Sequence, residues 1–243
     1  MTVAPETAAR TPAIRQRARL TLLGPFELSV GGEDIALALS AQRLVAFLAL
    51  QRGALLRSFV AGSLWLDSTD ARAAGSLRSA LWRVNRAHPV VVAVGERLSL
   101  APHVDVDVAD AIDQAHCLLD PAETSCPSPR ELRLVGDLLP DWYDDWVAVE
   151  RERLRQLRAH ALESLCARLT AAERFGEAVE AGVAATTIEP LRESAHRALV
   201  CAHLAEGNRN EALSQYQRFR RLLFDEVGLG PSERMEGLVS SFT

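Results

Sequence analysis

The sequence predicts a mainly α chain with small β elements, in two parts: a short sheet, three helices and a hairpin, then an all-α repeat. Three observations predict it. Arginine and serine recur on one side of residues 72–86, a β-branched run folds back on itself over 90–100, and the chain resembles itself at a shift of 34 residues from Ala161 onward. With 243 residues there is room for two cores. Apolar residues make up 48% of the chain, yet no apolar run approaches the roughly 18 residues a membrane span needs.

The elements run in order from the N-terminus. Residues 1–17 are rich in Pro, Thr, Ala and Arg without the apolar centre of a signal peptide, and read as a flexible arm. Leu20 to Leu23 and Phe26 to Val30 read as strands, with a turn at Gly31-Gly32 and a return in which Ile35, Leu37 and Leu39 alternate. Ser40 reads as the N-cap of a helix through Leu44, Val45, Leu48 and Ala49 to Gly53. Ser58 reads as the cap of a second through Val60, Leu64 and Trp65.

The third helix carries the most chemistry. Arg72, Ser76, Ser79, Arg83 and Arg86 recur at spacings of 4, 3, 4 and 3, while Leu77, Leu81 and Val84 line the opposite side. The polar arc holds three guanidiniums, two hydroxyls and no carboxylate. Arginine forks match phosphate and the O6/N7 edge of guanine, and serine adapts to either, so the face suits a major groove. Arg83 sits at the centre of the arc, Arg78 lies beside it for phosphate contact or an ion pair, and Trp82 is placed on the flank to seal the helix against the hairpin after it. Read alone, such a face is also what an ordinary solvated helix shows.

The next segment favours the groove. His88-Pro89 ends the helix, Val90 to Val94 runs to Gly95-Glu96-Arg97, and Leu98 to Leu100 returns. Three helices and a hairpin in this order form a winged helix-turn-helix, with Arg97 at the wing tip to reach the DNA backbone.

In the second half, the 34-residue shift lays Ala161 on Ala195, Leu165 on Leu199, Ala171 on Ala205, and Glu177-Ala178 on Glu211-Ala212. Thirty-four is the tetratricopeptide period, and the units read as helix pairs: 151–172 with 176–187, then 191–205 with 209–226. Small alanines at repeated positions let paired helices approach, and stacking buries what one unit cannot. Val227 to Pro231 stops the last helix. Trp142, Tyr143 and Trp146 read as packing rather than a ligand cage.

Chemistry beyond binding finds no support. Cys117, Cys126, Cys166 and Cys201 show no Cys-x-x-Cys pair, and no histidine stands at zinc spacing, so neither metal nor cofactor is expected. Cys166 and Cys201 sit among apolar neighbours as small hydrophobes, reduced in a cytoplasmic protein. His196 and His203 are seven apart without a third ligand. No phosphate loop, nucleophile elbow or zinc-protease motif appears, so an enzyme is not expected. The net charge of −5 hides an asymmetry: 12 arginines against 8 acidic residues up to residue 105, and 15 against 24 beyond. Every basic residue is arginine, which fits a GC-rich genome.

The segments LTLLGPFELSVGGEDIAL, SAQRLVAFLAL, VAGSLWLD and GSLRSALWRVNR resemble the OmpR-like winged helix of the Streptomyces antibiotic regulatory protein family. The likeness runs from residue 18 to the Asp105-Val106-Asp107 after the wing. GDLLPDWYDDWVAVERERLRQLRAHALESL, IEPLRESAHRALVCAHLAEGNRNEALSQYQRFRRLL and FDEVGLGPSERMEGL resemble that family's bacterial transcriptional activator domain over 105–240. The resemblance implies a winged helix at 18–104 and a tetratricopeptide-like domain at 105–243. It implies a DNA-binding transcriptional activator, cytoplasmic and nucleoid-associated, that binds tandem direct repeats of promoter DNA near the −35 region. The self-associated protein would recruit RNA polymerase through the sigma factor or α subunit and control a secondary-metabolite gene cluster. Arg72, Ser76, Arg78, Ser79, Arg83, Arg86 and Arg97 would face DNA. The turn Asp67-Ser68-Thr69-Asp70 carries two carboxylates that repel DNA and suit a basic protein surface, which fits the polymerase-contacting loop of this winged-helix variant; Asp70 as a plain helix cap is the alternative. The other reading of the whole chain is a helical-repeat scaffold or ligand sensor whose winged helix makes protein contacts.

Overall fold

The computed structural model describes residues 17–122, 127–132 and 136–240. The expected arm, apart from Arg17, and Cys126 therefore lie outside the described residues. The chain divides into two compact units, the first ending at Asp107 and the second beginning at Val108.

The first unit runs β1 (Ala18–Thr21), β2 (Glu27–Val30), β3 (Glu33–Asp34), α1 (Leu39–Gln51), β4 (Leu55–Leu56), α2 (Arg57–Leu64), α3 (Asp70–Ala87), β5 (Val91–Val94), β6 (Arg97–Leu100) and β7 (Val104–Val106). One sheet has the order β3-β2-β1-β7 and the other β4-β6-β5. β1 pairs antiparallel with β2, Leu20 opposite Leu28, and parallel with β7, Leu20 opposite Val106. Asp107 closes that edge: its carboxylate accepts the Leu22 N–H at 2.9 Å and the Leu23 N–H at 3.0 Å. Because β7 belongs to this sheet, the first unit extends three residues past the expected boundary at 104.

Three local expectations are corrected. The return strand after Gly31-Gly32 is only Glu33–Asp34; Ile35 and Leu37 keep their alternation as half-buried residues without a ladder, and Leu39 is the exposed first residue of α1. Ser40 and Ser58 are not caps. The cap positions are Ala38 and Leu56, both extended and without a side-chain bond, so each serine lies in the first helical turn. Ser40's hydroxyl instead accepts from Arg83. The core is built on α1, which buries Leu44, Val45, Phe47 and Leu48, and Arg43 Nη2 donates to the Leu64 carbonyl at 3.0 Å to tie α1 to the end of α2.

The second unit holds α4 (Asp107–Leu119), a 3-10 turn at Pro129–Glu131, α5 (Asp145–Ala171), α6 (Phe175–Ile188), α7 (Glu193–Glu206), α8 (Arg209–Val227) and α9 (Glu233–Val239). α5 with α6 and α7 with α8 are the two repeats. Ala161 and Ala195, Leu165 and Leu199, and Ala178 and Ala212 are buried in matching register. Ala171 and Ala205 are not: both are exposed in the last helical turn. The closest approach is at Gly182, where a Cβ would lie 3.1 Å from Leu199 Cβ and 3.2 Å from Cys166 Sγ. α8 ends on Gly228 in the left-handed region at φ 74°, as glycine permits. Pro231 does not end the fold. Ser232 caps α9 by accepting the Met235 N–H, and Met235 and Val239 seal a cluster of Val200, Ala212, Tyr216 and Phe219. Among the described residues no helix is long and apolar enough to cross a membrane.

Candidate nucleic-acid interface

α3 begins after Thr69, which occupies the cap position without a side-chain bond; Asp70 is the first helical residue and no cap. An acidic residue in the first turn complements the positive end of the helix dipole. The helix buries Ala73, Leu77, Ala80, Leu81 and Val84. Arg72, Arg78, Ser79, Arg83 and Arg86 are exposed, Ser76 is half-buried, and residues 71–87 hold no acidic side chain. The sequence-predicted helix residues therefore share one solvent-facing side.

Their roles within that side differ from expectation. At about 100° per residue, the buried stripe is centred near Val84 and Ala73, so the line pointing straight away from the core passes through Gly75, Ser79, Trp82 and Arg86. Arg83 is displaced to one flank, where its Nη1 donates to Ser40 Oγ at 3.0 Å. Trp82 does not seal the helix. It is 60% exposed, and the Arg86 guanidinium lies over its ring, 5.0 Å from the centroid. Ser79 Oγ donates back to the Gly75 carbonyl at 3.1 Å.

The wing is present as β5 and β6, with Val91 opposite Leu100 and Val94 opposite Arg97. Its tip is Gly95-Glu96, Gly95 having φ 55°. Arg97 begins β6 beside β4, and its Nη1 donates to the Ala54 carbonyl at 2.7 Å. It is exposed beside the tip turn, with its guanidinium tethered to Ala54 rather than free. The Arg57 N–H donates to the Glu96 carbonyl at 2.8 Å, which fastens the wing to the start of α2. The loop before α3 presents Leu66 at 73% exposure beside exposed Asp67 and Asp70, with Ser68 half-buried.

Residues 134–241 match the bacterial transcriptional activator domain. The chain is 29% identical over 237 residues, 90% of its length, to regulatory protein AfsR of Streptomyces coelicolor. It is 28% identical over 247 residues to AfsR of Streptomyces griseus. Among solved structures, Mycobacterium tuberculosis EmbR in complex with a low-affinity phosphopeptide superposes with a TM-score of 0.74 at 18% identity, over 92% of this chain and 64% of that one. The chain is thus similar to regulators that carry the bacterial transcriptional activator domain, in keeping with its resemblance to the Streptomyces antibiotic regulatory protein family. Its fold is a winged helix followed by a helical-repeat domain. It spans 24% and 25% of the two AfsR proteins.

Within the second unit, the residues that carried the resemblance have structural work. Arg151 donates to the carbonyls of Leu138 at 3.0 Å, Leu139 at 2.7 Å and Trp142 at 3.2 Å, and so fixes the approach to α5. Trp142 meets Trp146 edge-on, centroids 6.2 Å apart, but Tyr143 is 94% exposed and takes no part in the expected packing. Arg192 pairs with Glu163, which also accepts from Ser194 at 2.9 Å, joining α5 to α7. Buried His196 donates through Nε2 to the Pro190 carbonyl and accepts through Nδ1 from Gln215, each at 2.8 Å, and stacks on Phe219 at 4.2 Å. Burial holds its imidazole below the usual value, outweighing the Pro190 carbonyl, which favours the charged form. Burial likewise pushes the Cys166 thiol up to about 11 and raises that of Cys201. Both are free thiols of an inert kind. A groove of about 620 Å³ runs between α5, α7 and α9, lined by His160, Arg197, Cys201 and Arg234 among others.

Proposed function

We propose that this chain is a sequence-specific DNA-binding transcriptional activator, with a winged helix from Ala18 to Asp107 that reads promoter DNA and a second unit from Val108 that holds protomers side by side. The observation that carries the reading is α3, which exposes Arg72, Arg78, Ser79, Arg83 and Arg86 opposite a continuous buried stripe. Arginine forks on a helix of this length match phosphates and guanine edges. Arg97 adds a backbone contact from the wing, shared with its bond to Ala54. Self-associated protomers on tandem direct repeats near the −35 region present the Asp67-Ser68-Thr69-Asp70 loop to the sigma factor or the polymerase α subunit. Exposed Leu66 between the carboxylates and Trp65 gives that loop an apolar anchor. Kinship with the AfsR regulators supports control of a secondary-metabolite gene cluster in the cytoplasm.

Footprinting of the full chain on the promoters flanking its own gene tests this. Protection of evenly spaced repeats beside the −35 element is the expected result; uniform coating of all fragments overturns sequence-specific reading. The groove lined by Arg197 and Arg234 favours a second reading, a ligand-sensing repeat scaffold whose winged helix contacts protein. That reading predicts no footprint at all.

A further inference from the structure

We infer that Trp82 is a base-reading residue of α3, its indole covering the C5 methyl of a thymine in the major groove. The inference rests on the proposed DNA-reading function and adds a determinant that the arginine pattern does not contain. Direction comes first. Trp82 lies on the line of α3 that points straight out from the buried stripe, with Ser79 and Arg86, whereas Arg72 and Arg83 lie on one flank and Arg78 on the other. A helix laid in a groove turns its outermost line to the base edges and its flanks to the two phosphate walls.

Chemistry then selects the target. The indole is 60% exposed, the largest apolar surface on the helix, and the Arg86 guanidinium lies over its face at 5.0 Å. Trp82 has no charge for a phosphate and one donor, Nε1–H. The apolar mark that the major groove displays is the thymine methyl. Gly75, about two turns earlier on the same line, presents no side chain; a Cβ there would only touch the end of the Arg78 side chain, at 3.8 Å from Nη2. The helix backbone can therefore approach the bases closely, bringing the indole to the methyl. The cation–π contact holds the Arg86 guanidinium beside the indole.

The test separates the methyl from everything else. The full chain selects duplexes from a randomised library, and the enriched sequence is prepared with thymine and with deoxyuridine at every thymine position. Wild type should bind the thymine duplex about fourfold more tightly for each methyl covered, Trp82→Phe should keep much of that ratio, and Trp82→Ala should bind both duplexes equally. Trp82 is on the surface, and an unchanged melting temperature of Trp82→Ala verifies the fold. An enriched sequence bound equally with and without methyls by wild type overturns the assignment alone, as does an undiminished ratio in Trp82→Ala. No enriched sequence overturns the DNA-reading function and the assignment with it.

Discussion

Replacing Arg151 by methionine should destabilise the second unit by about 2–4 kcal/mol. The side chain is half-buried and its guanidinium donates three hydrogen bonds, to Leu138, Leu139 and Trp142 carbonyls. The Leu139 carbonyl keeps the Trp142 N–H at 3.0 Å, so the loss falls chiefly on the other two. Leaving a buried acceptor without its donor costs about 1–3 kcal/mol each, more when the donor was charged, and shared bonds to one group do not add fully. Leu138 and Leu139 are essentially without solvent exposure, so water does not replace the guanidinium. Leu139 also sits at φ 44°, a left-handed conformation that the Arg151 bonds help to hold. Methionine keeps the apolar stem, which confines the change to the bonds. Urea unfolding followed by tryptophan fluorescence reads it, since Trp142 and Trp146 stand beside the site. Arg151→Lys should fall between the two, because one ammonium cannot serve three carbonyls in a fork. A Met variant within about 0.5 kcal/mol of wild type refutes the reasoning.

Ala212→Arg places a guanidinium among Val200, Tyr216, Phe219 and Met235, with no carboxylate in that cluster, and should cost about 3–5 kcal/mol; an unchanged melting temperature contradicts the repeat register. His196 titrates below its unfolded value, so the unfolded chain binds the proton first. Stability should be full above pH about 6.5 and fall as the pH drops from there through the lower folded value, where Gln215 faces a second donor. His196→Gln should flatten that slope, and a slope unchanged in the variant contradicts it. Asp67→Ala with Asp70→Ala should leave operator affinity equal or slightly higher while lowering transcription by purified polymerase. Parallel loss of both would assign Asp70 to the dipole of α3, and intact transcription removes the contact loop.

Periodicity made most of this fold legible. The 3.6-residue pattern of α3 appears as a helix with one buried side, and the β-branched run as the first strand of the wing. The orientation of α3 was less legible, because Leu77, Leu81 and Val84 set its apparent back. Buried Ala73 and Ala80 turn that back by some 20° and bring Trp82 to the front. Small residues carry too little hydropathy to show this. Ser40 and Ser58 resembled caps because serine in the first turn differs from serine at the cap by backbone angle alone. The parallel pairing of β1 with β7 joins residues more than 80 positions apart, a non-local contact that no local pattern announces. α9 is seven residues long behind Pro231, too short for a periodic signal, and is defined by what it covers.

The claim that α3 reads DNA is tested most directly by the salt dependence of binding to the footprinted repeat, for wild type and for Arg83→Ala. Arginines that displace counterions from phosphates should give a slope of log K against log salt steeper than about −3. Loss of Arg83 should cost about 1–3 kcal/mol on that repeat if it reaches a base, or lower the slope by about one if it reaches phosphate. Wild-type binding that is flat in salt, or an Arg83→Ala protein with unaltered affinity and slope, contradicts the account.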